Sequence, residues 1–303
     1  MTMRTAIITG ASAGLGLQCA QALLEIDPSW HLVMAVRDPA RGAAAMQELD
    51  QPNRCTVIRL DLASLESVRA FIECVKTSAL PPLHAIVCNA GVQLVSGIER
   101  TVDGFEMTFG VNHLGHFALL QGLRGELATP ARIVVVSSGT HDPSKRTGMP
   151  DPAYTSAAEL ARPGSGGDDS HAGRRRYTTS KLCNVLFTYE LDRRLDRGAH
   201  GITVNAFDPG LMPGSGLARD YPPLQRFAWR FLLPAMRVLP AVRSTRTSGR
   251  HLARLVSDTR FDGMTGRYFD GLKPTRSSPD SYDSAKADDL WQTSQRLTAP
   301  LVA

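Results

Sequence analysis

Thr5-Ala6-Ile7-Ile8-Thr9-Gly10-Ala11-Ser12-Ala13-Gly14-Leu15-Gly16 is the stretch that decides the fold. Residues 5–9 form a short apolar run of the kind that makes a buried strand. A helical spacing of apolar residues follows at Leu15, Cys19, Ala22, Leu23 and Ile26. Between them lies a glycine-rich turn. Strand, glycine turn and helix in this order are the context in which glycines bind phosphate. The glycines permit the tight turn and let backbone N–H groups approach a pyrophosphate, and the helix N-terminus adds free donors and a favourable dipole. The plainer alternative is an ordinary glycine-rich turn between a strand and a helix.

The same alternation continues outward. Strands are predicted at 31–36, 56–60, 83–88, 132–136 and 202–207. Helices are predicted at Leu65 to Val75, roughly Gly104 to Leu127, and from Leu182 to Arg197. Alternating βα units imply a single α/β domain: a doubly wound, Rossmann-type parallel sheet with helices on both faces. In such sheets ligands bind at the carboxyl ends of the strands. Gly10, Arg37, Asp61, Asn89, Ser138 and Pro209 all fall at strand ends of that kind. The second strand ends Val36-Arg37, where an NAD-selective site would place an acid for the ribose 2′-OH. An arginine pairs instead with a 2′-phosphate, so NADP(H) is the expected cofactor, with Ser12 adding a hydroxyl. Otherwise Arg37 is a solvated loop residue and Asp38 takes the ribose. Asp61 is a candidate for the adenine amino group, although Asp61 or Ser64 would equally cap the next helix. Asn112 sits in the interior of the long helix, where asparagine is mildly unfavourable. It either has a functional reason or binds backbone.

Tyr177-Thr178-Thr179-Ser180-Lys181 places a phenol and an ammonium four residues apart. On a helix these positions share a face. A cation beside a phenol favours the phenolate, which suits proton exchange with an alcohol or carbonyl oxygen. The commoner meaning of such a pair is a surface contact.

Composition narrows the remaining classes. Of 303 residues 43% are apolar, enough for a packed core, and the net charge of +5 comes from arginines scattered along the chain. No basic stripe interleaved with aromatics is visible, so nucleic acid is not an expected partner. The five cysteines contain no CxxC, lie in predicted helices or strands, and read as buried reduced thiols. No secretory leader and no membrane span are evident, and a cytoplasmic location is expected. No metal site is expected.

Taken together, Thr9-Gly10-x3-Gly14-x-Gly16, Asn89-Ala90-Gly91, Asn112, Ser138, Tyr177-x3-Lys181 and Pro209-Gly210 resemble, in order, the motif set of the short-chain dehydrogenase/reductase family. The resemblance covers nearly the whole chain. Arg37-Asp38, Leu60-Asp61-Leu62-Ala63-Ser64-Leu65, Val111 to Phe117 and the tail from Gly266 through Trp291 are most similar to one branch. That branch holds retinol dehydrogenases, WW-domain oxidoreductases and light-dependent protochlorophyllide reductases. The resemblance implies that Tyr177 is the general acid or base and that Lys181 favours its phenolate and binds the nicotinamide ribose. It implies that Ser138 holds the substrate oxygen, with Ser137 the alternative, and that Asn112 opens the long helix and anchors a relay water. It implies cofactor contacts at Gly10, Ser12, Gly14, Leu15, Gly16, Arg37, Asp61, Leu62, Asn89, Ala90, Gly91, Tyr177, Lys181, Pro209, Gly210 and Met212.

Two departures from the family pattern stand out. Ser138 and Tyr177 are 39 positions apart, separated by an insertion at about 141–176. A short helix is expected there over Thr155 to Ala161, with Gly164 to Gly173 mobile and part of the insertion bordering the substrate. After Pro209-Gly210, Gly214 stands where many relatives have a threonine, with Ser215 beside it. An apolar and aromatic segment at about 211–245 resembles a substrate lid and implies a hydrophobic small-molecule substrate. Ordinary core packing is the equal alternative, and shallow membrane contact a third, since arginines punctuate the run. The expected function is NADP(H)-dependent hydride transfer to or from a carbonyl or alcohol. Reduction of a C=C bond and a non-catalytic NADP-sensing protein are the alternatives, and the molecule is a monomer or a homo-oligomer.

Overall fold

The computed structural model describes residues 2–49, 51–164, 169–195, 201–212 and 242–299. Eight strands form one sheet in the order β3-β2-β1-β4-β5-β6-β7-β8. They are β1 (Arg4–Thr9), β2 (Trp30–Val36), β3 (Cys55–Arg59), β4 (Leu83–Cys88), β5 (Leu127–Val136), β6 (Ile202–Asp208), β7 (Arg267–Asp270) and β8 (Lys273–Thr275). All neighbours pair in parallel except β7 with β8. The order reverses between β1 and β4, and such a reversal opens the ligand crevice of a doubly wound sheet. The central strands read as near-continuous apolar runs because both faces are covered: Ile7, Val33, Ile86 and Ile133 face one core, Ile8, Met34, Val87 and Val134 the other.

The face containing Ile8 is covered by α1 (Gly14–Ile26), α2 (Pro39–Gln47) and, near the C-terminus, Thr245–Ser257. This last helix approaches α1 so closely that a Cβ on Gly249 would lie 2.5 Å from Cβ of Gln18. The opposite face is covered by α3 (Leu65–Thr77) and by a continuous helix α4, whose parts are Met107–Phe109, a π-helical Gly110–Leu114, and Gly115–Leu123. Then come α5 (Ala157–Ala161), α6 (Ser170–Arg194), α7 for Thr245–Ser257, and α8 (Ser284–Thr298). α8 lies across α4 and α6, with Trp291 set between Phe117 (5.1 Å between centroids) and Phe187 (6.0 Å).

Several elements differ from their sequence-based expectation. α4 starts later than Gly104, because Gly104 takes a left-handed φ of +81° and Glu106 caps the helix by accepting from Phe109 N at 2.7 Å. Its C-terminal end gives way to the 3-10 turn Arg124–Glu126, and β5 begins at Leu127. α6 begins at Ser170, well before Leu182, with Asp169 capping His171 N and Ala172 N. Its polar first turns hide a helix because they pack on a loop: a Cβ on Gly173 would lie 2.2 Å from Val95 O, and Arg176 donates to Gly97 O. Gly173 is therefore packed helix, not mobile loop, while 165–168 lie outside the described residues. The short helix of the insertion is Ala157–Ala161. The strands β7 and β8 had no local sequence signal. Cys19, Cys88 and Cys183 are buried, but Cys55 is half-buried and Cys74 exposed, which corrects the expectation that all five are buried. Among the described residues no helix is long and apolar enough to cross a membrane.

Candidate active site

The glycine turn after β1 is built by backbone needs. Gly10 and Gly14 take φ of +68° and +58°, the left-handed region that glycine enters without strain. A Cβ on Gly16 would lie 2.5 Å from Gly10 O, so α1 can approach the turn only with glycine there. Ala13 is the N-cap of α1 and makes no side-chain cap, and the first turn has no acidic residue. The first amides of α1 are thus offered to an anion rather than to the chain's own side chains.

Thr9 ties this turn to two other segments. Its Oγ1 accepts from Asn89 N and Ala90 N, both at 2.9 Å, and lies 2.9 Å from Nε2 of His116. The other ring nitrogen of His116 is 3.3 Å from the carbonyl of Asn112, which can only accept. His116 therefore carries its proton on Nδ1, and Nε2 is the nearer acceptor for the Thr9 hydroxyl proton, with Val87 O the farther at 3.3 Å. The ring is buried, and burial pulls its pKa down to about 4, so the neutral form this pattern requires is the one present. Asn89 adds a bond from Nδ2 to Thr9 O at 2.7 Å. Neither Thr9 nor His116 was singled out from the sequence as a site residue. The one local signal was their presence inside the two longest motif phrases.

Asn112 occupies the π-helical turn of α4, the kind of local widening found at functional sites. Its Oδ1 accepts from Val92 N at 2.8 Å, and its Nδ2 donates to Val92 O at 3.0 Å and to Ser180 Oγ at 2.9 Å. Ser180 in turn donates to Tyr177 O at 2.7 Å. An asparagine in this helix interior is explained: it clamps the loop after β4 to α6. A Cβ added to Gly91 would lie 3.2 Å from Asn112 Oδ1 and 3.6 Å from Lys181 Nζ, so these two side chains meet at Gly91.

Tyr177 and Lys181 lie on one face of α6, both nearly fully buried. Lys181 Nζ is 5.5 Å from the Tyr177 ring centroid and donates to Val136 O at 3.3 Å. Burial lowers the Lys181 pKa to about 8, and the carboxylate of Asp208 opposes that fall. The two serines at the end of β5 part company. Ser137 is buried and its hydroxyl donates to Lys181 O at 2.7 Å, inside the packing of α6. Ser138 is half-buried, and its Oγ accepts from Thr140 N at 3.3 Å, which leaves its proton for another acceptor. His141 steadies this turn by donating from Nδ1 to Ser138 O at 2.7 Å while accepting from Ser278 N at 3.1 Å.

The remaining expected residues are placed as follows. Arg37 is exposed at the end of β2, Ser12 half-buried in the glycine turn, and Leu15 buried at the start of α1. Oδ1 of Asp38 is committed to capping α2 through Ala40 N and Arg41 N. Ser64 caps α3, while Asp61 Oδ1 accepts from Ala63 N. The Leu62 side chain is buried against α4, its carbonyl 2.6 Å from where a Cβ on Gly115 would stand. Gly210 (φ +77°) donates to Asp208 Oδ1 at 2.9 Å, and Pro209 O accepts from Ser248 at 2.6 Å. Met212 is half-buried against the core beside α1 and α7. Gly214, Ser215 and the apolar segment at 213–241 lie outside the described residues.

The chain belongs to the short-chain dehydrogenase/reductase family, a family of oxidoreductases: the family model described as short chain dehydrogenase matches residues 4–157. It is 35% identical over 321 residues to protochlorophyllide reductase B of Hordeum vulgare, covering 98% of this chain and 79% of that one. It is also 35% identical to the WW domain-containing oxidoreductase of Danio rerio, over 96% of this chain and 67% of the relative. Among solved structures, a protein of Mycobacterium paratuberculosis superposes with a TM-score of 0.72 at 29% identity, over 98% of this chain and 94% of that one. RhlG of Pseudomonas aeruginosa, solved with NADP at its active site, has the same fold (TM-score 0.64, 24% identity, 89% and 96% covered).

Proposed function

We propose that the chain is an NADP(H)-dependent oxidoreductase that interconverts a carbonyl and an alcohol on a hydrophobic small molecule. The observation that supports it most is the approach of Asn112 and Lys181 to Gly91, with Tyr177 on the same face of α6 and Lys181 Nζ bonded to Val136 O, two residues before Ser138 at the carboxyl end of β5.

The residues present suit the cofactor. The uncapped amides of α1 and the close-packed Gly16 suit a pyrophosphate. Arg37, exposed beyond β2, suits a 2′-phosphate, and Asp38 is occupied as a cap. Asn89, Ala90, Gly91, Asp61 and the backbone of Leu62 would border the adenosine half. Pro209, Gly210, Met212 and Lys181 would border the nicotinamide half. When bound, the nicotinamide supplies a hydride to the carbonyl carbon, or accepts one from the alcohol carbon.

In the reducing direction Tyr177 gives its phenolic proton to the substrate oxygen. The cationic Lys181 stabilises the phenolate left behind. Ser138 donates to the same oxygen as negative charge develops on it. Asn112 holds the loop after β4 and the start of the catalytic turn of α6 at a fixed distance, so the three groups stay in register.

Titration calorimetry with NADPH and NADH, followed by a consumption screen over apolar ketones, aldehydes and enones, tests the reading. Tight NADPH binding and a turnover lost in Tyr177→Phe are expected. Arg37→Ala should weaken NADPH far more than NADH. Binding of neither nucleotide would end the proposal. A second reading, reduction of a C=C bond, is supported by the 35% identity to a protochlorophyllide reductase over 98% of the chain. Turnover of protochlorophyllide, in the dark and illuminated, separates it from carbonyl reduction.

A further inference from the structure

We propose that His141 is a positioning residue of this site: its Nδ1–H holds the Ser138 peptide in place, and the amide of Ser278, from the C-terminal segment, holds the ring in the tautomer that can do so. The hold on Ser138 is independent of any activity, and its importance for turnover rests on the oxidoreductase reading.

His141 is fully buried and ends the 3-10 turn that follows Ser138. Ser138 O accepts from it twice, from Nδ1 at 2.7 Å and from the backbone N at 3.2 Å. A carbonyl only accepts, so Nδ1 carries a proton. Nε2 lies 3.1 Å from Ser278 N, and an amide only donates, so Nε2 carries none. One neutral tautomer satisfies both neighbours, and the other satisfies neither. The imidazole bond is the shorter of the two on this carbonyl, whereas the contact from Thr140 N to the Ser138 hydroxyl is long at 3.3 Å. The turn is also closely packed. Asp208 Oδ2 and Lys145 Cδ stand 2.9 and 3.3 Å from where a Cβ on Gly139 would lie, and the His141 ring rests against Tyr268 with centroids 4.9 Å apart.

The far side of the ring is tied to the helix that carries Tyr177 and Lys181. Ser278 starts a tight turn, and its carbonyl accepts from Ser281 N at 3.1 Å and from Ser281 Oγ at 2.6 Å. Ser281 Oγ meets Ser277 Oγ at 2.6 Å, and Ser277 Oγ meets the Tyr189 hydroxyl of α6 at 2.7 Å. Ser277, Ser278 and Ser281 are all buried, where a hydrogen bond is stronger than in water. α6 therefore reaches the end of β5 by two routes. One is the bond from Ser137 to Lys181 O at 2.7 Å, and the other runs from Tyr189 through Ser277, Ser278 and His141. Ser138 and Tyr177 come from different segments, and the second route refers the Ser138 peptide to the helix of Tyr177. Placement of this kind matters for rate, because a shift of about 1 Å can cost roughly 100-fold.

The chain has eight histidines, and five of its serines are followed by glycine. Ring 15N spectra of histidine-labelled protein, with His141 assigned by contact with the Tyr268 ring and by loss in His141→Asn, should show Nδ1 protonated and Nε2 bare at neutral pH. Cell-free labelling with 13C-carbonyl serine and 15N-glycine displays the Ser–Gly peptides, and loss in Ser138→Ala picks out the Ser138 carbonyl. His141→Gln keeps an acceptor where Nε2 stood but removes the donor to Ser138 O, so the Ser138 carbonyl shift should move. His141→Asn places its Nδ2 where Nδ1 stood, so the shift should stay near the wild-type value. With a substrate from the screen, His141→Gln should lower kcat about tenfold or more at unchanged NADPH affinity, and His141→Asn should hold it within about threefold of wild type. If His141→Gln does not fold, the wild-type ring spectrum still decides, because a ring protonated on Nε2 overturns the proposal. A Ser138 carbonyl unmoved in His141→Gln, or an equal fall of kcat in both variants, overturns it too, since the ring would then only fill space. The expected carbonyl pattern in a protein that turns nothing over upholds the hold on Ser138 and sinks the oxidoreductase reading instead.

Discussion

The hydroxyl of Thr9 has its nearer acceptor in Nε2 of His116, 2.9 Å away, and so joins the glycine turn of β1 to the middle of α4, more than a hundred residues on. Thr9 Oγ1 has both lone pairs filled by Asn89 N and Ala90 N. One side-chain oxygen therefore serves three groups, the buried His116 ring and the amides of the half-buried Asn89 and Ala90. Thr9→Val keeps the shape and leaves Ala90 N and His116 Nε2 without this partner, while Asn89 N keeps its bond to Val87 O at 3.0 Å. It should cost about 3 kcal/mol in urea unfolding, since each buried unsatisfied group costs about 1–3 kcal/mol. Thr9→Ser should recover most of that, and a loss in Thr9→Ser with none in Thr9→Val would show that the methyl group, not the oxygen, matters.

Stability should fall in mild acid. Burial lowers the pKa of His113 to about 3 and of His116 to about 4, against an unfolded value near 6.5. Below pH 6.5 the unfolded chain takes up protons that the folded chain refuses, so stability rises with pH in this window and is lost as pH falls. Between pH 7.5 and 5.5 each ring should cost about 1.4 kcal/mol. His141, also lowered by burial, adds to the trend, because a proton on Nε2 would face Ser278 N–H. Denaturant unfolding at the two pH values measures it. His113→Leu should show the smaller pH dependence, and a wild-type stability equal at both values would contradict the assignment.

The two serines at the end of β5 should separate cleanly. Ser138→Ala removes the half-buried hydroxyl and should lower kcat about 100-fold, the scale of one lost donor to a developing oxyanion, with NADPH affinity unchanged. Ser137→Ala removes the bond to Lys181 O and should cost about 1 kcal/mol of stability with a much smaller change in kcat. The reverse pattern would hand the role to Ser137.

Trp291 should anchor the C-terminal helix. It lies between Phe117 of α4 and Phe187 of α6 and is 2% exposed. Trp291→Ala should cost about 3–5 kcal/mol, the range for a large aromatic removed from a core. Because α8 covers this side of α4 and α6, loosening it should uncover apolar surface there. Sedimentation velocity should find the variant more prone to self-association than the parent, and an unchanged stability would mean that α8 is dispensable packing.

What could be read without coordinates was what contiguous residues encode. The apolar run, the glycine turn and the helical spacing over residues 5–26 name a βα unit because strand and helix periods are properties of the local backbone. The four-residue spacing of Tyr177 and Lys181 predicts a shared helix face for the same reason, and the buried pair on α6 agrees with it. Local pattern failed at α6 and β7. The first turns of α6 are polar all round because they pack on loop carbonyls rather than on a core. β7 is four residues long and held by its neighbours.

Tertiary structure decided whatever depended on neighbours distant in sequence. Ser137 and Ser138 are identical in type and adjacent, and only the position of α6 turns one inward and leaves the other beside the site. Asp38 could have faced the ribose or capped a helix, and either Asp61 or Ser64 could have capped α3; which of them became caps was decided by which amides came within reach. Asp208 meets Tyr268 and the turn at Gly139 only because β5, β6 and β7 pair in one register, a relation between residues that the chain separates and the sheet brings together. A side chain's chemistry is written in its own identity and its local spacing. Its dielectric surroundings and partners are set by atoms from other segments, and these determine how readily it holds or gives up a proton.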